Sequence, residues 1–185
     1  KAYSDELMKK YIVPLFDEAS RKYFNAKAGL DSVVYHEMFH NFGPRDKKKK
    51  PGSEKTYGEY LVTDAGDSWR LPLEEMKAQT GSLYMATRFY EDALDKREKG
   101  EISEEEMAKE EEAYKTHIMY DLAWAMRMIL RASRSGPEFK SRSPYSRLAA
   151  VQIGFLTDRG AITFNEETKV WSVDFDKMPD SVTAM

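Results

Sequence analysis

The chain should fold as a mainly α domain with a small C-terminal β-hairpin, and two patterns lead to that expectation. Apolar residues recur at three- and four-residue intervals over most of its length, the mark of helices with one face in a core. Near the end, Ile162-Thr163-Phe164 and Val170-Trp171-Ser172-Val173 flank the polar turn Asn165 to Lys169, which predicts a β-hairpin. With 185 residues and 41% hydrophobic content, the chain can bury one sizeable core, so residues 1–185 are most simply one domain.

Composition narrows the function. Acidic and basic residues nearly cancel, 32 against 29, and the net charge of -3 gives no reason to expect a nucleic-acid partner. The absence of cysteine excludes thiolate metal sites, disulfides and a cysteine nucleophile. No apolar run approaches the roughly 18 residues of a membrane span, and no signal peptide is visible, so no membrane partner is expected. The start at Lys1 rather than methionine, and the trailing Ser181 to Met185, predict a processed chain or a piece of a longer protein.

Residues 4–25 read as a helix capped by Ser4, with Leu7, Tyr11, Ile12, Phe16 and Ala19 on its apolar side, and Pro14 should kink or divide it. A second helix holds Val33 to Phe42, with Asp31 or Ser32 as its cap and Gly43-Pro44 as its stop. It is apolar nearly all round, which predicts burial. Residues 44–70, with four consecutive lysines (Lys47 to Lys50), Pro51-Gly52, Gly58 and Gly66, form a long loop in which Tyr57 to Val62 makes a short extended segment. The lysine run is read as a solvated tip.

A long helix follows from Pro72 to Lys99, with Pro72 in its first turn. Glu75 falls within about 80° of Leu83, Ala86, Tyr90 and Ala93 at 100° per residue, so it faces the core and needs a cation. Glu74 sits at the margin and suits the helix dipole. Ser103 and Glu106 form a capping box for another helix running to Ser133, solvated in its first half and apolar at Ile118, Leu122, Ala125, Met126 and Ile129. His117, at the border between the halves, reads as a surface or capping histidine, and Met119, Met126 and Met128 read as adaptable core. After a polar loop from Ser133 to Pro144, Tyr145 to Asp158 forms a last long helix with Leu148, Val151, Gln152 and Phe155 as its face.

One motif carries chemistry. His36-Glu37-Met38-Phe39-His40 has the spacing His-Glu-x-x-His, and on a helix positions i and i+4 share a face, so both imidazoles can reach one metal ion. Glu37 is turned by about 100° from His36. It is left beside the metal, free to take a proton from water. Two imidazoles and a carboxylate on an apolar helix need partners, and a divalent cation meets that need in one step.

Four segments then coincide in order: His36-Glu37-Met38-Phe39-His40-Asn41-Phe42-Gly43-Pro44, Leu73-Glu74-Glu75-Met76-Lys77-Ala78, Ala150-Val151-Gln152-Ile153 through Gly160-Ala161-Ile162, and Val173-Asp174-Phe175-Asp176-Lys177-Met178-Pro179. This series resembles the dipeptidyl peptidase III family of zinc peptidases, and more closely its bacterial relatives with the plain five-residue zinc motif. The resemblance implies a zinc-peptidase-like helical domain, corresponding to part of the catalytic lobe of a longer protein. It implies Zn²⁺ as cofactor, held by His36, His40 and Glu75, with Glu37 as general base and a peptide as substrate. A second lobe that completes the cleft is implied as well. The chain departs from the family in two places. Gln79 stands where an acid is usual, and Tyr145 stands where family members tend to carry a histidine. A tyrosine hydroxyl can still donate a hydrogen bond to an oxyanion, as can an arginine such as Arg127 or Arg131. The competing expectation is a non-catalytic helical binding or scaffold module that retains the zinc site.

Overall fold

The computed structural model describes residues 2–42, 49, 51–59, 67–133 and 143–185. Pro14 divides the first predicted helix: α1 (Ala2–Tyr11) ends before a 3-10 turn, Val13–Leu15, and a short α2 (Glu18–Arg21) follows. Asp17 caps α2, its side chain accepting the Ser20 N–H at 2.8 Å. Between them Phe16 pairs with Trp171, and the Asp17 N–H donates to the Trp171 carbonyl at 2.8 Å, so the chain start is stitched to the hairpin near its end.

The motif helix, α3 (Gly29–Phe39), starts two residues before the expected caps. Asp31 and Ser32 therefore lie inside it, and Asn25 caps the preceding 3-10 turn by accepting the Lys27 N–H at 3.0 Å. The expected stop at Gly43-Pro44 lies outside the described residues; α3 itself closes at Phe39, with His40 as its C-cap. Its burial is also a correction, since Leu30, Val33, Val34 and Met38 are exposed, and only one stripe of α3 touches the body.

Residues 44–48, 50 and 60–66 of the predicted loop at 44–70, including the lysine run except Lys49, lie outside the described residues. Residues 57–59 are helical rather than extended. Next, α4 spans Asp67–Glu98, starting five residues before the expected boundary, so Pro72 is inside it. So near the N-terminus, its missing N–H removes a single ladder bond, one turn after the donors that lack helical partners anyway.

Gly100, with φ +71°, ends this helix in the left-handed region. The capping box forms as expected: Ser103 N–H donates to Glu106 Oε2 at 2.8 Å and Glu106 N–H to Ser103 Oγ at 3.2 Å. Helix α5 (Glu104–Ser133) follows, then α6 (Pro144–Asp158), the antiparallel strands β1 (Ile162–Asn165) and β2 (Val170–Val173), and α7 (Met178–Thr183). The hairpin register pairs Ile162 with Val173 and Asn165 with Val170, and the Asn165 side chain accepts the Glu167 and Thr168 N–H groups across the turn.

Helix α4 is the hub, packed against α3, α5, α6 and α7. The core gathers Leu83 of α4, Ile118, Met119 and Leu122 of α5, and Leu148 and Leu156 of α6, with Phe16, Ile162 and Met178 closing its ends. Within α6 the buried stripe is Leu148, Ala149, Gln152, Ile153 and Leu156; Val151, expected on that face, is exposed. Close approach fixes α3. A Cβ at Gly81 would lie 2.0 Å from the Phe39 ring, and one at Gly29 would lie 2.3 Å from Tyr120, so glycine is what lets α3 settle onto α4 and α5. No helix among the described residues is long and apolar enough to cross a membrane.

Candidate metal centre

Helices α3 and α4 meet along a polar seam. From α3 come Ser32, His36 and His40, spaced one turn apart; from α4 come Glu75, Gln79 and Ser82, spaced at three and four residues. The chains run in opposite senses, so the outer end of the seam brings His36 and His40 to Glu75. His36 Nε2 lies 3.2 Å from Glu75 Oε2, His40 Nε2 lies 3.6 Å from the same oxygen, and the two nitrogens are 3.2 Å apart. The side chains are 12%, 26% and 15% exposed for His36, His40 and Glu75, enough burial to raise the cost of unmet polar atoms.

The opposite ring nitrogens are held from outside the cluster. His40 Nδ1 lies 3.0 Å from Glu74 Oε1, and Lys77 Nζ is 2.9 Å from the same oxygen. Burial pushes the Glu74 carboxyl up, but hydrogen bonds from His40 and Lys77 and the charges beside it hold it below its ordinary value. It is therefore an acceptor only, and His40 Nδ1 must supply the proton. His36 Nδ1 lies 3.2 Å from Gln79 Oε1 and donates there in the same way. The glutamine thus keeps the orienting contact that an acid at that position would make. Glu74, expected to serve the helix dipole, instead orients a histidine.

These outer contacts have a consequence for the middle of the site. With both Nδ1 atoms donating, each imidazole in its neutral form presents an Nε2 lone pair, and both Nε2 atoms lie against a carboxylate oxygen. Glu75 Oε2 is buried and receives no hydrogen bond. Three acceptors facing one another without a donor repel, and a cation between them removes the conflict. Their separations suit one: two ligands held at about 2.05 Å in tetrahedral geometry stand about 3.3 Å apart. The donor set of two imidazoles and a carboxylate, with no sulfur, also matches hydrolytic zinc sites.

Glu37 is exposed and offers an oxygen within 4.8 Å of ligand atoms of both histidines. Glu37 completes a His/Glu/His group by itself, and Glu75, the more buried of the two glutamates, places Oε2 3.2 and 3.6 Å from the two nitrogens. Tyr145, at the start of α6, faces the same place. Its phenol is raised above its ordinary value by burial, then by the charge of Glu75 and a hydrogen bond with it, then by the charge of Glu37. Its ring packs edge-on against Trp124 at 5.9 Å. The Arg127 charge acts on the phenol of Tyr120.

Two features escaped the sequence reading. His117 is 5% exposed rather than a surface group, and it sits at the deep end of the seam with Ser82 and Asp121. Asp121 carried a usable signal, because an acid between Ile118 and Leu122 on a core stripe demands donors. A groove of about 820 Å³ lies between α3, α4 and α5 on the His117 side, away from the histidine pair.

No family model matches the sequence, and no curated protein matches it. Among solved structures, dipeptidyl-peptidase III from Corallococcus sp. strain EGB is similar with a TM-score of 0.66 and 24% identity over 97% of this chain. A second, DPP III from Caldithrix abyssi, is similar with a TM-score of 0.64 and 19% identity, again over 97% of this chain. The chain spans 29% and 30% of the lengths of those two proteins. Over nearly its whole described length, then, the chain has a dipeptidyl-peptidase III-like fold.

Proposed function

We propose that this chain is the zinc-site portion of a metallopeptidase, with His36, His40 and Glu75 holding Zn²⁺ and Glu37 acting as general base. The observation that carries this reading is the convergence of His36 Nε2, His40 Nε2 and the donorless Glu75 Oε2 within 3.2 to 3.6 Å of one another. When bound, Zn²⁺ supplies a Lewis acid that polarises a scissile carbonyl and brings the pKa of water toward neutrality.

The chain's own residues do the rest. Gln79 and Glu74 fix the ring orientations, so the two nitrogens are aimed before any ligand arrives. Glu37, on the solvent side of the histidine pair, accepts a proton from the attacking water and passes it to the leaving amine. Tyr145, whose raised pKa keeps it protonated at neutral pH, donates a hydrogen bond to the oxyanion that develops on the substrate. The wall of the peptide cleft opposite these groups belongs to a second lobe, in keeping with the 30% span of the neighbour's length.

Metal analysis of the purified protein and a peptide library test this. The expected result is about one zinc per chain, and cleavage that disappears in Glu37→Gln while the zinc stays. Zinc without any cleavage sensitive to Glu37→Gln favours the scaffold reading, and no zinc at all overturns both.

A further inference from the structure

The seam between α3 and α4 continues inward past the histidines and ends on a buried carboxylate. Asp121 of α5 is 1% exposed and accepts the hydroxyl of Ser32 at Oδ1 and that of Ser82 at Oδ2, the latter at 3.1 Å. Ser82 Oγ also lies 2.9 Å from His117 Nε2 and 3.3 Å from the Ser32 carbonyl. Both serines are themselves buried, at 5% and 0%. One carboxylate of α5 therefore clasps α3 and α4 together.

The position of this clasp gives it leverage. Ser32 precedes His36 by one turn on the same face of α3, about 6 Å along the axis, and Ser82 follows Glu75 by two turns on α4. A rigid helix transmits any shift at the clasp to the ligand atoms. Besides the clasp, α3 is held by close approach at Gly29 and Gly81 and by the Tyr35 ring against Phe89 and His117, while Leu30, Val33, Val34 and Met38 are exposed. Apolar contacts such as Phe39 over Gly81 tolerate small slides, whereas hydroxyl–carboxylate bonds fail within a few tenths of an ångström. A metal site needs its donors held to about 0.5 Å.

We propose that Asp121, through Ser32 and Ser82, is a positioning residue that sets the register of α3 on α4 and so the spacing of His36, His40 and Glu75. This rests on the metal reading given above. Asp121→Asn keeps the shape but replaces one acceptor oxygen by an NH₂ group that cannot receive a hydroxyl proton.

The test uses zinc affinity by chelator competition and the visible absorption of the Co²⁺-loaded protein, which reports ligand geometry. Leu156→Ala, in the core on α6 and off the seam, is the control for lost stability. Asp121→Asn is expected to weaken zinc binding about 10-fold or more, the range seen when groups that orient metal ligands are lost, and to change the cobalt spectrum. Ser82→Ala should do the same to a lesser degree, and it decides the matter if Asp121→Asn does not fold. Leu156→Ala should lower the melting temperature and leave both metal readouts unchanged in the folded protein. The proposal is overturned if zinc affinity and cobalt spectrum match the wild type in Asp121→Asn, or in Ser82→Ala where that variant decides. Failure of the wild-type protein to bind zinc overturns the metal reading itself, and with it the proposal, a result distinct from a seam variant that binds normally.

Discussion

The three histidines of this chain fall into two clusters at opposite ends of one helix seam, and the two ends have contrasting demands. At the deep end, His117 and Asp121 are 7% and 1% exposed at their side chains, yet the ring nitrogen and both carboxylate oxygens have partners: Ser32 and Ser82 donate, and Ser82 bridges to the ring. At the outer end, the exposures are higher and the polar bookkeeping fails, because Glu75 Oε2 and the two Nε2 atoms face one another as acceptors. Burial alone therefore does not mark a functional group here. Satisfied hydrogen bonds are what the deep cluster shows, and a deficit of donors is what the proposed cation site shows.

The strongest way to break that contrast is at Glu37. Glu37→Gln should lower peptide cleavage by about 10²- to 10⁴-fold, the usual worth of a general base, with zinc content unchanged by elemental analysis. Next is Glu75→Ala, which removes the donorless acceptor and should weaken zinc binding by more than about 100-fold, beyond the loss expected when only an orienting partner is removed. Chelator competition measures it, and unchanged affinity sinks the ligand assignment. Third is Gly81→Ala. Its Cβ would meet the Phe39 ring at 2.0 Å, so α3 must lift from α4; a loss of about 1–3 kcal/mol in denaturant unfolding is expected, together with weaker zinc binding.

A finer probe sharpens the comparison from the outer end. Gln79→Glu places a carboxylate on His36 Nδ1, which raises the basicity of the ring and should tighten zinc binding by up to about 10-fold while destabilising the metal-free fold. Opposite changes in the two quantities are what separate a ligand-orienting contact from a packing contact.

The smallest effect belongs to the deep end. Burial pulls the His117 pKa down, but the charge and hydrogen bond of Asp121, with Asp31 further away, outweigh it and raise the folded value. A raised histidine stabilises the fold fully below its unfolded pKa of about 6.5, and that contribution is lost as pH rises through the folded value. Urea midpoints of the wild type should therefore fall, as pH rises above about 6.5, more than those of His117→Gln. Equal slopes contradict this.

How much of this was legible beforehand differs along the chain. The helical architecture, the break at Pro14 and the hairpin follow from periodicity and proline chemistry, while boundaries shift at the start of α3 and at α4, which runs through Pro72. The orientation of Glu75 was readable because one helix's wheel decides it. The exposure of Val33, Val34 and Met38 was not, since an apolar helix does not reveal which of its faces a neighbour will take. The clasp was hidden for another reason: Ser32, Ser82 and Asp121 come from three helices up to 89 residues apart, and no local pattern joins them. Glu74 was misread because its partner, His40, lies 34 residues away.

The closing turn of α3 has one more consequence. His36 and His40 occupy its last turn, where the peptide dipoles add up to roughly half a negative charge on the unpaired carbonyls. The helix end thus favours positive charge near the imidazoles before any side chain contributes. In the proposed metal site, selection among divalent ions would be left to two nitrogens and one oxygen, a borderline-soft set that disfavours magnesium and calcium relative to zinc or cobalt.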